Sequence, residues 1–182
     1  MDPINDDELA RRIQRGDRDA FDTLVRRHQD RIYRLATAML NSSHAAADAT
    51  QEVFLRAWTG LPRFRFRSTV FTWLYATLRN VCRELNRRER ETGELPADIP
   101  DDGPGPGRGV DAERRLDAVL RTIRQLPGRQ RDVVLLRVFE DLSVAETAVA
   151  LGMASGTVKA HLNRAMSRLR EADKRISHEV QE

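Results

Sequence analysis

The sequence predicts an all-α protein made of two small helical domains joined by a flexible linker. Three observations carry that expectation. Apolar residues recur at three- and four-residue intervals through most of the chain, with no internal repeat, strand-period alternation or hairpin signal. Charged residues make up 32% of the 182 and aromatics only 5%, which suits amphipathic helices better than an apolar sheet core. Residues 93–110 hold five of the ten glycines and four of the seven prolines, and that density breaks helix and strand alike. The domains are therefore expected at 1–92 and 111–182, with an acidic tether at 93–110. Fully extended, a tether of about 20 residues reaches about 65 Å.

The elements follow in order from the apolar spacing. Leu9 and Ile13 mark a first helix, and Ala20, Phe21, Leu24 and Val25 open a second. Ile32, Leu35, Ala36, Met39 and Leu40 continue its stripe. Asn41, Ser42 and Ser43 break the pattern and can cap a third helix over 44–61, which Pro62 ends. A basic loop, 63–68, leads to a fourth helix over 69–91. Beyond the tether, Leu116, Val119, Leu120, Ile123 and Leu126 form one apolar stripe, stopped by Pro127 and Gly128. A helix over 129–140 and two more complete the second domain.

Charge and composition exclude several functions. The formal net charge is +3, but residues 55–90 carry nine Arg against two acids, while residues 91–110 carry one Arg against five. A dense basic stretch beside an acidic one points to a polyanion met by one surface; a solvated Arg-rich face is the competing reading. Cys82 is the only cysteine, so no disulfide or cysteine-based zinc site can form within the chain. Set among Leu78, Val81 and Leu85, it is expected to be a small buried hydrophobe. No Gly-rich phosphate loop, paired His and carboxylate motif or nucleophile elbow occurs, so no enzyme, cofactor or metal site is expected. The N-terminus is polar and acidic, and no apolar run approaches the ~20 residues that span a bilayer. A soluble, cytoplasmic protein without stable membrane insertion is expected.

Residues 143–170, SVAETAVALGMASGTVKAHLNRAMSRLR, carry the pattern of a helix-turn-helix. Ala148 is small where two helices cross, and Gly152 stands where the chain must turn left-handed. Val158 can pack back on the first helix, and Ser155 can cap the second. Val158, Leu162, Ala165 and Leu169 give that helix an apolar face. Thr157, Lys159, His161, Asn163, Arg164 and Arg168 lie opposite or beside it, the positions that meet DNA when such a helix enters the major groove. Arg129 and Arg131, at the start of the preceding helix, are further candidates for phosphate contact. An ordinary helical hairpin shares part of this pattern.

Two motifs stand out in the first domain. In DATQEVFLRAW, 48–58, a helix places Asp48, Gln51, Glu52 and Leu55 on one side and turns Val53, Phe54 and Ala57 to another. A polar, acidic face ending in apolar residues suits a protein partner. In residues 64–90, Phe71, Trp73 and Tyr75 are interleaved with arginines, a mixture able to stack on unpaired bases while tracking the backbone. A core role for Trp73 is the alternative.

Together, DATQEVFLRAW, FTWLY, the Arg-rich helix end, LPGRQRDVVLLRVFEDLS and GTVKAHLNRAMSRLR resemble extracytoplasmic-function sigma factors of the sigma-70 family, in the order region 2, linker, region 4. The resemblance implies that Asp48, Gln51, Glu52, Phe54 and Leu55 dock on the β′ clamp helices of core RNA polymerase. It implies that Phe64, Arg65, Arg67, Trp73, Asn80, Arg83, Arg87 and Arg88 meet the melted −10 element, with a flipped base held near Phe64, Arg65 and Asn80. It implies that the helix-turn-helix reads the −35 element and that region 4 meets the β flap. The tether would thread the polymerase's active-site and RNA-exit channels, and an anti-sigma factor would hide the docking faces. The chain departs from the family pattern at Ala160 with His161 and at Asn163, which bears on the preferred −35 sequence, and at Ala47, which bears on the docking face. A polymerase-independent helix-turn-helix regulator is the competing function. It needs a dimer interface and affinity for closed duplex alone. A pure adaptor would not need the arginines of 79–90.

Overall fold

The computed structural model describes residues 4–92 and 110–179, with side chains described for 4–89, 91 and 116–172. Among these residues there are eight α-helices and no strand. They belong to two compact units, Met1–Ala97 and Asp98–Glu182. The expected tether lies outside the described residues except for Val110, which opens a helix.

The first unit holds α1 (Asp6–Gln14), α2 (Arg18–Thr37), α3 (Ser43–Gly60) and α4 (Val70–Thr92), with a 3-10 turn at Leu61–Arg63. Side-chain caps set each start. Asn5 accepts from the Glu8 N–H, Asp17 from Ala20, Ser42 from Ala45 and Thr69 from Thr72. The expected cap at 41–43 is Ser42. Leu24, Ile32 and Leu35 of α2 meet Ala46, Ala49, Val53 and Ala57 of α3, all fully buried. The small residues let α3 approach closely on one side while α4 presents Leu74, Tyr75 and Leu78.

A polar clamp fixes α1 on α2. His28 is 3% exposed, and its Nε2 donates to Asp6 Oδ2 at 2.7 Å. Arg27 donates to Asp6 Oδ1 at 2.6 Å. Burial alone would raise the Asp6 carboxyl, but the hydrogen bonds from His28 and Arg27 outweigh it and hold the group below its ordinary value of 3.8.

The second unit holds α5 (Val110–Gln125), α6 (Gly128–Val134), which widens into a π turn at Leu135–Phe139, then α7 (Val144–Leu151) and α8 (Ser155–Glu179). Leu126, Val134 and Ala165 form a cluster against which Leu162 and Leu169 pack. The α5 stripe is only partly core. Leu116 is 55% exposed and Val119 also lies open, while Ala118, Ile123 and Leu126 are buried. Periodicity identifies the apolar face of a helix, not how far along it the covering elements extend.

Candidate nucleic-acid and partner interface

The first surface lies on α2 and α3. Val53, Phe54 and Ala57 face the core, while Asp48, Gln51 and Leu55 are exposed, as a helical projection of 48–58 requires. Between the two helices runs an open apolar groove of about 700 Å³, lined by Val25, Tyr33, Gln51, Phe54, Leu55 and Trp58 among others. Trp58 meets the edge of Phe21 at 4.9 Å between ring centroids, so its indole stands as a fixed wall. Leu55, Trp58 and Tyr33 are, with Ile4, the large apolar side chains that the described residues of this unit leave exposed. Sequence reasoning named Leu55 but missed Tyr33 and Trp58. Aromatics at otherwise polar helix positions were the available signal.

The acidic members of this face are already engaged. Asp48 pairs with His44 at 3.1 Å, both exposed. Glu52 accepts from Arg56 Nε at 2.6 Å, and the rest of the Arg56 guanidinium grips both oxygens of Glu84 on α4 at 3.2 and 2.8 Å. The hydrogen bond from Arg56 holds the Glu84 carboxyl below its ordinary range. Phe54, expected at the docking face, is only 8% exposed. It contributes to the groove floor, because its position on α3 is shared with the core stripe.

The second surface is the loop between α3 and α4. Arg63, Arg65 and Arg67 are exposed and pair with no carboxylate among the described residues. The aromatics expected beside them are turned inward. Phe64 is 8% exposed and packs against Phe66 at 4.9 Å and Trp73 at 6.3 Å. Phe71 and Tyr75 are core residues, and Arg31 lies over the Phe71 ring at 3.4 Å. The interleaved reading fails for these two because residues 71 and 75 are one helical turn apart and share the buried face with Leu74 and Leu78. Trp73 projects elsewhere and is half-buried, its ring lying against Gly60. Asn80 and Arg87 recur at seven-residue steps from Trp73, so one exposed stripe of α4 continues from the loop. Asn80 and Arg83 are exposed without a protein partner among the described residues, whereas Arg87 pairs with Glu91 at 2.9 Å and Arg88 is also engaged.

The third surface is α8. Ser143 and Glu146 form a capping box at the start of α7, a Ser-x-x-Glu signal legible in the sequence but not read there. Gly152 ends α7 at φ 62°, and the N–H groups of Gly152 and Met153 return to Val149 and Ala148 at 3.3 and 3.0 Å. The left-handed glycine at the turn is the geometry the spacing predicts. Ser155 is not the cap of α8. The helix begins at Ser155 itself, and Val158 N–H donates to the Ala154 carbonyl at 3.1 Å. Val158 and Ala165 are fully buried, while Thr157, Lys159, Asn163, Arg164 and Arg168 are exposed. His161 is half-buried, with its Nδ1 enclosed and unpaired among the described residues. Arg129 and Arg131 donate to the Leu151 and Arg124 carbonyls at 3.3 and 3.1 Å, which ties both to helix ends.

Among the described residues no group of three or more His, Cys, Asp or Glu side chains is placed to hold a metal ion, and no helix is long and apolar enough to cross a membrane. A helix-turn-helix with an open basic face, and a separate unit joining an arginine loop to an apolar groove, define a protein that meets DNA and a protein partner together. Comparison with known proteins makes this specific. The Sigma-70 region 2 family model matches residues 24–92, and that of Sigma-70, region 4 matches residues 116–169. The ECF RNA polymerase sigma factor SigM of Mycobacterium tuberculosis is 38% identical, covering 91% of this chain and 83% of its own. The ECF RNA polymerase sigma-E factor of Escherichia coli is 30% identical, covering 89% and 91%. The solved structure of CnrH in complex with the cytosolic domain of CnrY matches with a TM-score of 0.72 at 25% identity, covering 91% of this chain and 95% of that one.

The chain belongs to the extracytoplasmic-function sigma factors of the sigma-70 family. It is an alternative sigma factor that directs RNA polymerase to start transcription at particular promoters, and the reading as a polymerase-independent regulator is not favoured. Sigma factors are initiation factors rather than enzymes.

Proposed function

We propose that the three surfaces divide the work of initiation. The first unit, with domain bounds 1–92, docks on the β′ clamp helices of core RNA polymerase through the groove and the adjoining face of Asp48, Gln51, Glu52 and Leu55. The exposed apolar walls at Leu55 and Trp58 supply buried area, and the acids supply orientation. The loop then meets the melted −10 strand. Arg63, Arg65 and Arg67 hold phosphates, and Asn80, Arg83 and Arg87 extend the track along α4. A base leaving the stack would be read by the edge of this loop, with Phe64 as its floor and Trp73 beside it. The second unit, 111–182, reads the −35 element through Thr157, Lys159, Asn163, Arg164 and Arg168, with His161 at the margin, and meets the β flap. The acidic tether spans the two elements, on the order of 50 Å apart.

The chain itself supplies no catalytic chemistry. Strand opening and RNA synthesis occur within the polymerase, in the cytoplasm. The groove also suits an anti-sigma factor, since one apolar surface cannot serve two partners at once; CnrH, similar in fold, was solved in complex with the cytosolic domain of CnrY.

The observation that carries this reading is the loop. Phe64 is buried and Phe66 half-buried, while the three arginines stand exposed and pair with no carboxylate among the described residues. Run-off transcription from a randomised promoter library, with bacterial core polymerase alone and with this chain added, is the test. The expected result is a set of transcripts sharing paired −35 and −10 motifs that appears only with the chain. Identical transcripts from core polymerase alone would contradict it.

A further inference from the structure

The helix α1 ends before residue 24, where the match to sigma-70 region 2 begins, yet it reaches the loop that the matched segment folds. Gln14 Nε2 donates to the Phe64 carbonyl at 2.8 Å and to the Leu61 carbonyl at 3.4 Å, across about fifty residues of sequence. One turn earlier, the Arg11 guanidinium lies 5.1 Å from the centre of the Phe66 ring. Phe66 has a φ of 54°, the left-handed region that a bulky side chain enters only when its surroundings hold it there. Those surroundings are the Phe64 ring, edge-on at 4.9 Å, and the Arg11 guanidinium over the Phe66 ring. The only residue between the two held phenylalanines is Arg65, and Arg67 follows directly. The other end of α1 is fixed by the Asp6 clamp to His28 and Arg27, and Leu9, Ala10 and Ile13 are buried beneath it.

We infer that α1 is a buttress for the DNA-facing loop, with Gln14 and Arg11 as positioning residues that act through Phe64 and Phe66 to aim Arg65 and Arg67. This rests on the proposed role of the loop at the melted strand. A loop held in one strained conformation meets a single strand without a search of its own, so loss of the hold slows strand opening. Docking on polymerase uses α2 and α3, so it is left unchanged.

The test uses holoenzyme reconstituted with core polymerase and a promoter fragment selected by the wild-type holoenzyme from a random library. Strand opening is followed by 2-aminopurine placed in the −10 element. Gln14→Glu keeps the shape of the side chain but removes both N–H donors and sets a carboxylate against two carbonyl oxygens. It is expected to slow opening about tenfold, in line with the loss of two partly buried hydrogen bonds. Its core affinity should remain close to wild type, and its thermal midpoint should fall by no more than several degrees, the cost of those two hydrogen bonds to the fold. Gln14→Lys, which restores a donor, should recover most of the rate, an effect that mere filling of space does not give. Arg65→Ala with Arg67→Ala is run in parallel. If that double variant slows opening while Gln14→Glu does not, the buttress is overturned and the loop reading stands. If the double variant opens DNA like wild type, the loop reading itself fails. If Gln14→Glu loses core affinity and thermal stability in step with its opening rate, the role of Gln14 is general to the fold and the inference is wrong.

Discussion

Replacing Gly60 with Ala tests how the loop is seated. A Cβ built on Gly60 falls 2.7 and 2.8 Å from the Cζ2 and Cη2 atoms of Trp73. Carbon atoms pack at about 3.5–4.0 Å, so the indole must retreat by roughly 1 Å. Such overpacking costs about 1–3 kcal/mol. The new alanine offsets part of it, because Ala is favoured over Gly within a helix by about 1 kcal/mol. The expected net loss is therefore only about 0–2 kcal/mol, but the ring that moves is the one standing against Phe64. Urea unfolding gives the stability. Emission of Trp73, isolated in a Trp58→Phe background, reports the displacement. A shifted emission with a small loss of stability supports the packing described. Unchanged emission together with a gain of about 1 kcal/mol, the behaviour of an unobstructed helix surface, would refute it.

Three further outcomes follow from particular contacts. Gly152→Ala meets no atom within 4 Å, so its cost comes from the backbone at φ 62° alone, about 1–2 kcal/mol of stability by denaturant unfolding. No loss there would mean that the turn is not left-handed. Glu52→Lys should reduce assembly with core polymerase, measured by fluorescence anisotropy, while shifting the thermal midpoint by no more than a few degrees. Arg56 keeps its fork on Glu84, and a pair this exposed contributes less than about 1 kcal/mol. Full assembly by the variant would remove Glu52 from the docking face. The Asp6 carboxyl is depressed in the folded chain, so its contribution is complete above the ordinary value of 3.8 and disappears as pH falls through the lower folded value. Asp6→Asn should therefore lower stability near pH 7 and flatten its decline below about pH 4, seen as thermal midpoints converging with wild type at acid pH. Parallel curves across that range would contradict the clamp.

The fold was legible because helix spacing, capping residues and one Gly/Pro-rich stretch all point the same way. Ser42 and Gly152 behave as local chemistry requires, since a cap or a left-handed turn is settled within a few residues. What remained hidden depends on distant neighbours. Phe71 and Tyr75 looked like base-stacking residues beside arginines, yet their helical face is the one covered by the core. Leu116 and Val119 looked like core, yet lie exposed. The groove walls Tyr33 and Trp58 belong to two different helices, and only the packing of α2 on α3 brings them together. Gln14 was invisible for the same reason, its partners lying 47 and 50 residues away. The arginines of the loop were named, but that none of them pairs with a carboxylate among the described residues could be seen only once those acids had been placed.

The central claim is that this chain opens promoter DNA only in company with core polymerase. Permanganate footprinting on a selected promoter fragment measures that directly, since it marks unpaired thymines. Reactive thymines are expected in the −10 element when chain and core are both present, and none with either alone. Protection of closed duplex by the chain by itself, as a dimer and without reactive thymines when core is added, would contradict it.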